Sequence, residues 1–255
     1  MVVSSRIQDE PCFVVHRYDW SESSLILEVW SRHQGRVALV AKGAKKPNSQ
    51  WRPVLLPLQP LRLDWWGDSE IRNLKAARWA GGAVMPSGGG LLAGMYLNEL
   101  LLRTMAREDP YPELFDVYAL AVRGLQNEDT RLPSVRAWEL HLLRSTGVLP
   151  NLSVHGTTHK ALDDDKAYQL QPNAGLQATA TDGVPGRVWR NIESALTNPA
   201  QWGGLVDCCQ MEEFRLRSQL RTLLHYHSGL SAFRTRQLWL DVAEVGQRAQ
   251  AKVSQ

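Results

Sequence analysis

The hydrophobic period of this chain changes once, and that change limits the fold more than any single residue does. Up to about residue 80 the apolar residues come in short runs rich in Val, Leu and aromatics, at 13–18, 25–30 and 37–41, separated by polar or Gly-containing turns such as 19–24 and His33-Gln34-Gly35. Such runs read as strands. Within the second, Leu25, Leu27 and Val29 alternate with Ile26, Glu28 and Trp30, as expected when one strand face is buried more deeply than the other. Runs at 54–66, which Pro57 and Pro60 should bend or push to an edge, and at 70–79 complete a set of five. Five strands in so short a stretch, with no long helix among them, suit a small closed or partly open barrel better than an open sheet, and an OB-type barrel leads.

From Leu91 the spacing turns helical. Leu92, Met95, Tyr96, Glu99 and Leu102 recur at helical intervals while Leu97, Leu100 and Leu101 widen the apolar face. Further helices are expected over 110–126 and 134–145, the latter stopped by Gly147 and Pro150. Residues 147–185 lose the period and read as an irregular insertion with one short hairpin at most. Helices should resume near Arg187, run through 211–225, and end with 235–249. The predicted architecture is therefore α+β: a barrel domain over 1–80 and an α-helical domain over 81–255. Gly88-Gly89-Gly90 has no Lys in reach to make it a phosphate loop and is expected to be a flexible link between the two.

Two domains fit a length of 255 residues, and 44% hydrophobic against 22% charged residues provides for a core and argues against wholesale disorder. Cys12, Cys208 and Cys209 form neither a disulfide framework nor a zinc cage, so a reducing compartment is expected. Arg6, Asp9 and Glu10 occupy the place of a secretory hydrophobic stretch, and no apolar run is long enough to span a bilayer, which points to the cytoplasm. The net charge of +3 is unevenly spread: residues 1–80 hold 12 Lys and Arg against 8 Asp and Glu, the remainder 17 against 18. Between Glu28 and Asp64 there is no acid at all, only Arg32, Arg36, Lys42, Lys45, Lys46, Arg52 and Arg62. A local positive field of this kind favours polyanions.

No Walker A loop, Gly-x-Ser-x-Gly elbow, dinucleotide fingerprint or His-Glu-x-x-His helix is present, so no catalytic set or cofactor is expected. His155, His159, Asp163, Asp164 and Asp165 leave open a metal-dependent hydrolase, against the simpler reading of a solvated polar loop. Adjacent helical cysteines point about 100° apart, so Cys208 and Cys209 read as small buried hydrophobes. The loop after the third strand is more informative, since Lys42, Lys45, Lys46, Trp51 and Arg52 offer cations to phosphates and an indole to bases. With Arg36 they form the expected nucleic-acid surface. Trp65 and Trp66 are further stacking candidates, of which strand alternation lets at most one face outward. A second basic cluster, Arg215, Arg217 and Arg221, stands on a late helix, where Arg217 and Arg221 lie one turn apart and can track a phosphate backbone together, so it is expected to hold additional DNA, against the plainer pairing of Arg217 with Glu213. From these residues alone an RNA-binding OB module fits as well as a DNA-binding one.

The run Val14-Val15-His16-Arg17-Tyr18-Asp19-Trp20-Ser21-Glu22-Ser23-Ser24-Leu25, followed by Gly35-Arg36-Val37-Ala38-Leu39-Val40-Ala41-Lys42-Gly43-Ala44, resembles the N-terminal barrel of the RecO family of bacterial recombination and DNA repair proteins. Gly94-Met95-Tyr96-Leu97-Asn98-Glu99-Leu100, Arg136-Ala137-Trp138-Glu139-Leu140-His141-Leu142-Leu143 and Phe233-Arg234-Thr235-Arg236-Gln237-Leu238 are similar to later family segments in the same order. The resemblance implies a recombination mediator, not an enzyme: one that binds single- and double-stranded DNA, anneals complementary strands, engages the C-terminal tail of the single-stranded DNA-binding protein SSB, and with RecR helps RecA load. Many members carry four cysteines for a structural zinc in the insertion. Residues 147–185 here hold none, so zinc is expected to be absent and packing to hold the insertion. An acidic tail ending in an aromatic residue needs an apolar pocket beside an arginine. Arg136, Leu140 and Leu143, at i, i+4 and i+7, are the expected stripe, unless Arg136 merely pairs with Glu139.

Overall fold

The computed structural model describes residues 6–82, 85–229 and 233–235. Five strands, β1 (Arg6–Asp19), β2 (Leu25–Ser31), β3 (Gly35–Ala41), β4 (Leu61–Trp66) and β5 (Ile71–Trp79), close into a barrel in the order β1-β2-β3-β5-β4. All neighbours are antiparallel except β3 and β5, which run parallel from Ala38 opposite Ile71 to Val40 opposite Asn73. This is the OB-type barrel expected. The long fourth run is shorter than its apolar content promised: Pro57 and Pro60 interrupt it, and residues 42–60 make turns, with the strand beginning only at Leu61. Val14, Leu27, Val29, Leu39, Leu63 and Trp65 fill the interior.

Among the described residues, six α-helices account for most of the remainder: α1 (Gly88–Thr104), α2 (Pro112–Gly124), α3 (Glu128–Ser145), α4 (Gly186–Leu196), α5 (Trp202–Met211) and α6 (Glu213–Ser228). α3 starts six residues ahead of the expected Ser134. Asn127 caps it by accepting from the Asp129 amide, and Glu128 and Asp129 suit its positive end, so Pro133 lies inside the helix instead of before it. Gly88-Gly89-Gly90 is not a link but the first turn of α1. A Cβ on Gly90 would stand 2.5 Å from the Leu125 carbonyl oxygen, a close approach that only glycine allows. The insertion holds more order than its polarity suggested. β6 (Ala167–Gln171), β7 (Gly175–Ala178) and β8 (Val184–Pro185) form a sheet in the order β7-β6-β8, and Tyr168, Leu170, Leu176 and Val184 bury their side chains in the helical core. Beyond Thr235 the expected last helix lies outside the described residues. Among the described residues no helix is long and apolar enough to cross a membrane.

The barrel interior is a cluster of its own, and the helical core extends onto the outside of the barrel. Phe13, Val15 and Trp30, on the outer face of β1 and β2, pack with Leu58 into the cluster that holds Leu101, Phe115, Tyr118 and Trp138. This covering is why β2 is buried on both faces and not on one alone. The segment between α1 and α2 and the start of α2 complete the join: the Glu108 amide donates to the Arg36 carbonyl at 3.0 Å, and the Arg32 guanidinium grips Asp116 of α2 through two bonds of 2.9 and 2.8 Å. Gly35 (φ +68°), at the start of β3, lets that segment come this close, for a Cβ there would lie 2.4 Å from the Asp109 carbonyl oxygen.

Candidate nucleic-acid interface and an arginine-lined groove

The connection from β3 to β4 lies beside the β1–β2 hairpin, joined to it by the Lys45 amide donating to the Ser23 carbonyl at 2.9 Å. Lys42, Lys46 and Arg52 are exposed and make no ion pair among the described residues. Lys45 is tied down, with its ammonium 3.2 Å from Asp19 and 3.0 Å from the Ser21 carbonyl. Trp51 is half-buried against the barrel core. Together with Arg17, Leu25, Ala44, Leu55 and Leu56, the residues Lys45, Trp51 and Arg52 line a cleft of about 430 Å³. Two members of this rim were not singled out from the sequence. Arg17 donates to the Leu55 carbonyl at 3.2 Å, and Trp20, 62% exposed, stands on the hairpin. A lone indole in the polar turn Asp19-Trp20-Ser21-Glu22 was the available signal, because nothing around it in sequence could bury it.

Three expected contacts fall elsewhere. Arg36 is drawn into an ion-pair cluster where barrel meets helices: its guanidinium is 3.3 Å from the buried Glu28, which also pairs with Arg107, and Arg107 in turn pairs with Glu70. A cation spent on a buried carboxylate has little left for phosphate. Trp65 fills the barrel, 1% exposed, while Trp66, 48% exposed, pairs with Arg6 at the opposite end of β1 from Trp20.

A second concavity, of about 350 Å³, opens between α1, α3 and α6. Leu92, Tyr96, Leu132, Val135 and Phe233 give it an apolar lining, and Arg131, Arg136, Arg217 and Arg221 surround that lining with positive charge. Arg136 is held from beneath. The fully buried Glu139 lies 3.1 Å from its guanidinium and accepts a 2.6 Å bond from the Tyr96 hydroxyl. Burial pushes the Glu139 carboxyl above its usual range, against the opposing pull of Arg136. Glu99 fixes the far wall by accepting from the Arg234 amide, the Thr235 amide and the Thr235 hydroxyl, which places Phe233 edge-on to Tyr96 at 5.6 Å. Burial alone would raise the Glu99 carboxyl, but these bonds hold it below its usual range.

Both expected properties of Arg136 therefore hold at once: it pairs with Glu139 and it borders a groove. Leu140 and Leu143 do not. Both side chains pack into the helical core and neither lines the groove, which is floored on this helix by Leu132 and Val135. In the C-terminal cluster, Arg217 and Arg221 line the groove, whereas Arg215 turns away to Glu212 at 2.7 Å.

The metal-loop reading finds no support in the geometry. Asp163 pairs with Lys166, Asp164 with Arg190 and Asp165 with Arg187, while the His155 ring accepts from the Thr157 amide. Among the described residues no three or more His, Cys, Asp or Glu side chains gather to hold an ion. Cys208 and Cys209 are buried free thiols, both pushed up by burial.

Comparison with known proteins agrees with this architecture. The family described as "Recombination protein O N terminal" matches residues 6–83, and "Recombination protein O C terminal" matches residues 87–198. Proteins named "DNA repair protein RecO" are similar along nearly the whole length. That of Verminephrobacter eiseniae is 52% identical over 251 residues, covering 95% of this chain and 99% of its own. That of Polaromonas naphthalenivorans is 50% identical over 246 residues, covering 94% and 99%. With both halves matched and half of all positions identical, the chain belongs to the RecO family of DNA repair and recombination proteins.

Proposed function

We propose that this chain is a recombination mediator that acts by binding, not by catalysis, in the cytoplasm and at the nucleoid. The barrel rim of Lys42, Lys45, Lys46, Trp51 and Arg52 takes single- and double-stranded DNA, chiefly through phosphate, and brings complementary strands together. The groove at Arg136, Arg217 and Arg221 receives the acidic C-terminal tail of SSB, its terminal ring on Leu132 and Val135 and its carboxylate on guanidinium. Arg215 on the neighbouring turn holds additional DNA. With RecR, the protein then helps RecA load onto SSB-coated DNA.

The observation that carries this reading is the pairing of two positive surfaces of different kind on one body. One is a wet rim of lysines with an indole, suited to a phosphate backbone. The other is an apolar groove ringed by arginines, suited to a carboxylate beside an aromatic ring. Calorimetric titration of the tail peptide, set beside anisotropy of labelled DNA, tests it with reciprocal variants. Arg221→Glu should weaken tail binding and spare duplex binding, and joint replacement of Lys42 and Lys46 by Ala should do the reverse. Parallel losses in both assays would reject two separate sites.

A further inference from the structure

On the reading of the barrel rim as a DNA surface, we propose that the cleft between the β1–β2 hairpin and the β3–β4 connection binds one unpaired nucleotide, its base on Trp51 and its phosphates on Arg17, Lys45 and Arg52. Single strand is distinguished from duplex there.

The lining divides in the way a nucleotide does. Leu25, Ala44, Trp51, Leu55 and Leu56 supply an apolar lining that includes one indole, and the three remaining residues are cations. Among the described residues no carboxylate lines the cleft. Asp19, outside that lining, lies 3.2 Å from the Lys45 ammonium, so Arg17 and Arg52 carry most of the attraction for phosphate. A volume of about 430 Å³ lies within the ordinary range for small-ligand sites, roughly 300–1,000 Å³. It is too confined for stacked base pairs.

The cleft is also built in advance. Arg17 is anchored by one bond to the Leu55 carbonyl, which leaves the other guanidinium donors unassigned, and Lys45 is anchored by the Ser21 carbonyl. Trp51 is held by the barrel core behind it. Arg17, Lys45 and the indole are thus placed in advance, which leaves chiefly the exposed Arg52 side chain for binding to order. Lys42 and Lys46, exposed and outside the lining, reach phosphates on either form of DNA. Bases in a duplex are paired and stacked and cannot enter, so the cleft adds affinity for single strands only.

Anisotropy titrations of the full-length protein with an oligothymidylate, and with an abasic strand of the same length, isolate the base. Both strands carry the same charge, so their affinity ratio cancels phosphate contacts. The wild-type protein should favour the strand with bases by at least about fivefold, the lower bound for one stacked base. Trp51→Ala should bring the ratio to about one. Leu56→Trp, which fills the cleft from its half-buried edge, should do the same and keeps the test decisive if loss of Trp51 prevents folding. Equal wild-type affinities, or a ratio that survives both substitutions, would overturn the cleft and leave the phosphate-binding rim standing. Binding of neither strand would overturn the rim as well.

Discussion

Arg136 shows how far a single residue can be read from sequence and where such reading stops. Its type and its place four residues ahead of Leu140 were visible, but a helical stripe says nothing of which neighbours enclose it. With α1, α5 and α6 packed around α3, the residues at i+4 and i+7 go to the core and those at i−1 and i−4 face the groove. Arg17 and Trp20 were legible in type and missed because their partners, the Leu55 carbonyl and the open hairpin, are distant in sequence or absent from it. Arg136→Ala should cost ~1.5–3 kcal/mol of tail affinity, the range for a hydrogen bond to a charged group, measured by calorimetry. His141 carries a pH signature. Buried against Trp202, with its ring about 6.1 Å away, it is held neutral and pushed down to about 4 by burial and by Arg144. The unfolded chain takes up this proton near pH 6.5 and the folded chain only near pH 4, so stability falls as pH is lowered through that window. Urea unfolding at neutral pH and near pH 5 should differ by roughly 1–2 kcal/mol on account of this group. His141→Phe should flatten that part of the dependence; an unaltered dependence would place the proton elsewhere.

Among the elements, the barrel strands were the most legible because short apolar runs rich in Val, Leu and aromatics are set off by Gly or polar turns, although β2 is buried on both faces instead of alternating. The exception is the β3–β4 connection, where prolines among apolar residues conceal a loop that packs Leu55 and Leu58 inward while exposing its lysines. Loss of Lys42 and Lys46 together should flatten the dependence of log affinity on log salt by about 0.7 per lost contact on single strands. Lys45, already committed to Asp19, should add less when replaced in turn. A slope unchanged by the double replacement would move the DNA contact off this loop. On α6 the basic cluster divides by direction: Arg217 and Arg221 to the groove, Arg215 to Glu212. Reversing the charge of all three should slow strand annealing more than it weakens binding of one short strand, and equal losses in both assays would discredit α6 as an annealing surface.

At the scale of the whole molecule, the sequence says least about the join. A change of period predicts two domains, yet the contacts that fuse their surfaces, Phe13 with Tyr118 and Gly35 with Asp109, lie far apart in the chain and leave no local pattern. Because the helical core takes in Phe13, Val15 and Trp30 from the barrel's outer face, unfolding followed by tryptophan fluorescence and by circular dichroism should coincide in one transition. Gly35→Ala, strained by its positive φ and obstructed by Asp109, should lower stability by at least about 2 kcal/mol. On the proposed reading, the barrel rim and the groove between α1, α3 and α6 would let one molecule hold both SSB and the strand that SSB covers. Annealing of complementary strands coated with SSB is therefore the most direct measurement. The protein should accelerate it, while Arg136→Ala should remove the acceleration on coated strands and retain it on bare ones. Coated strands that anneal no faster with the protein than without it would contradict the mediator reading.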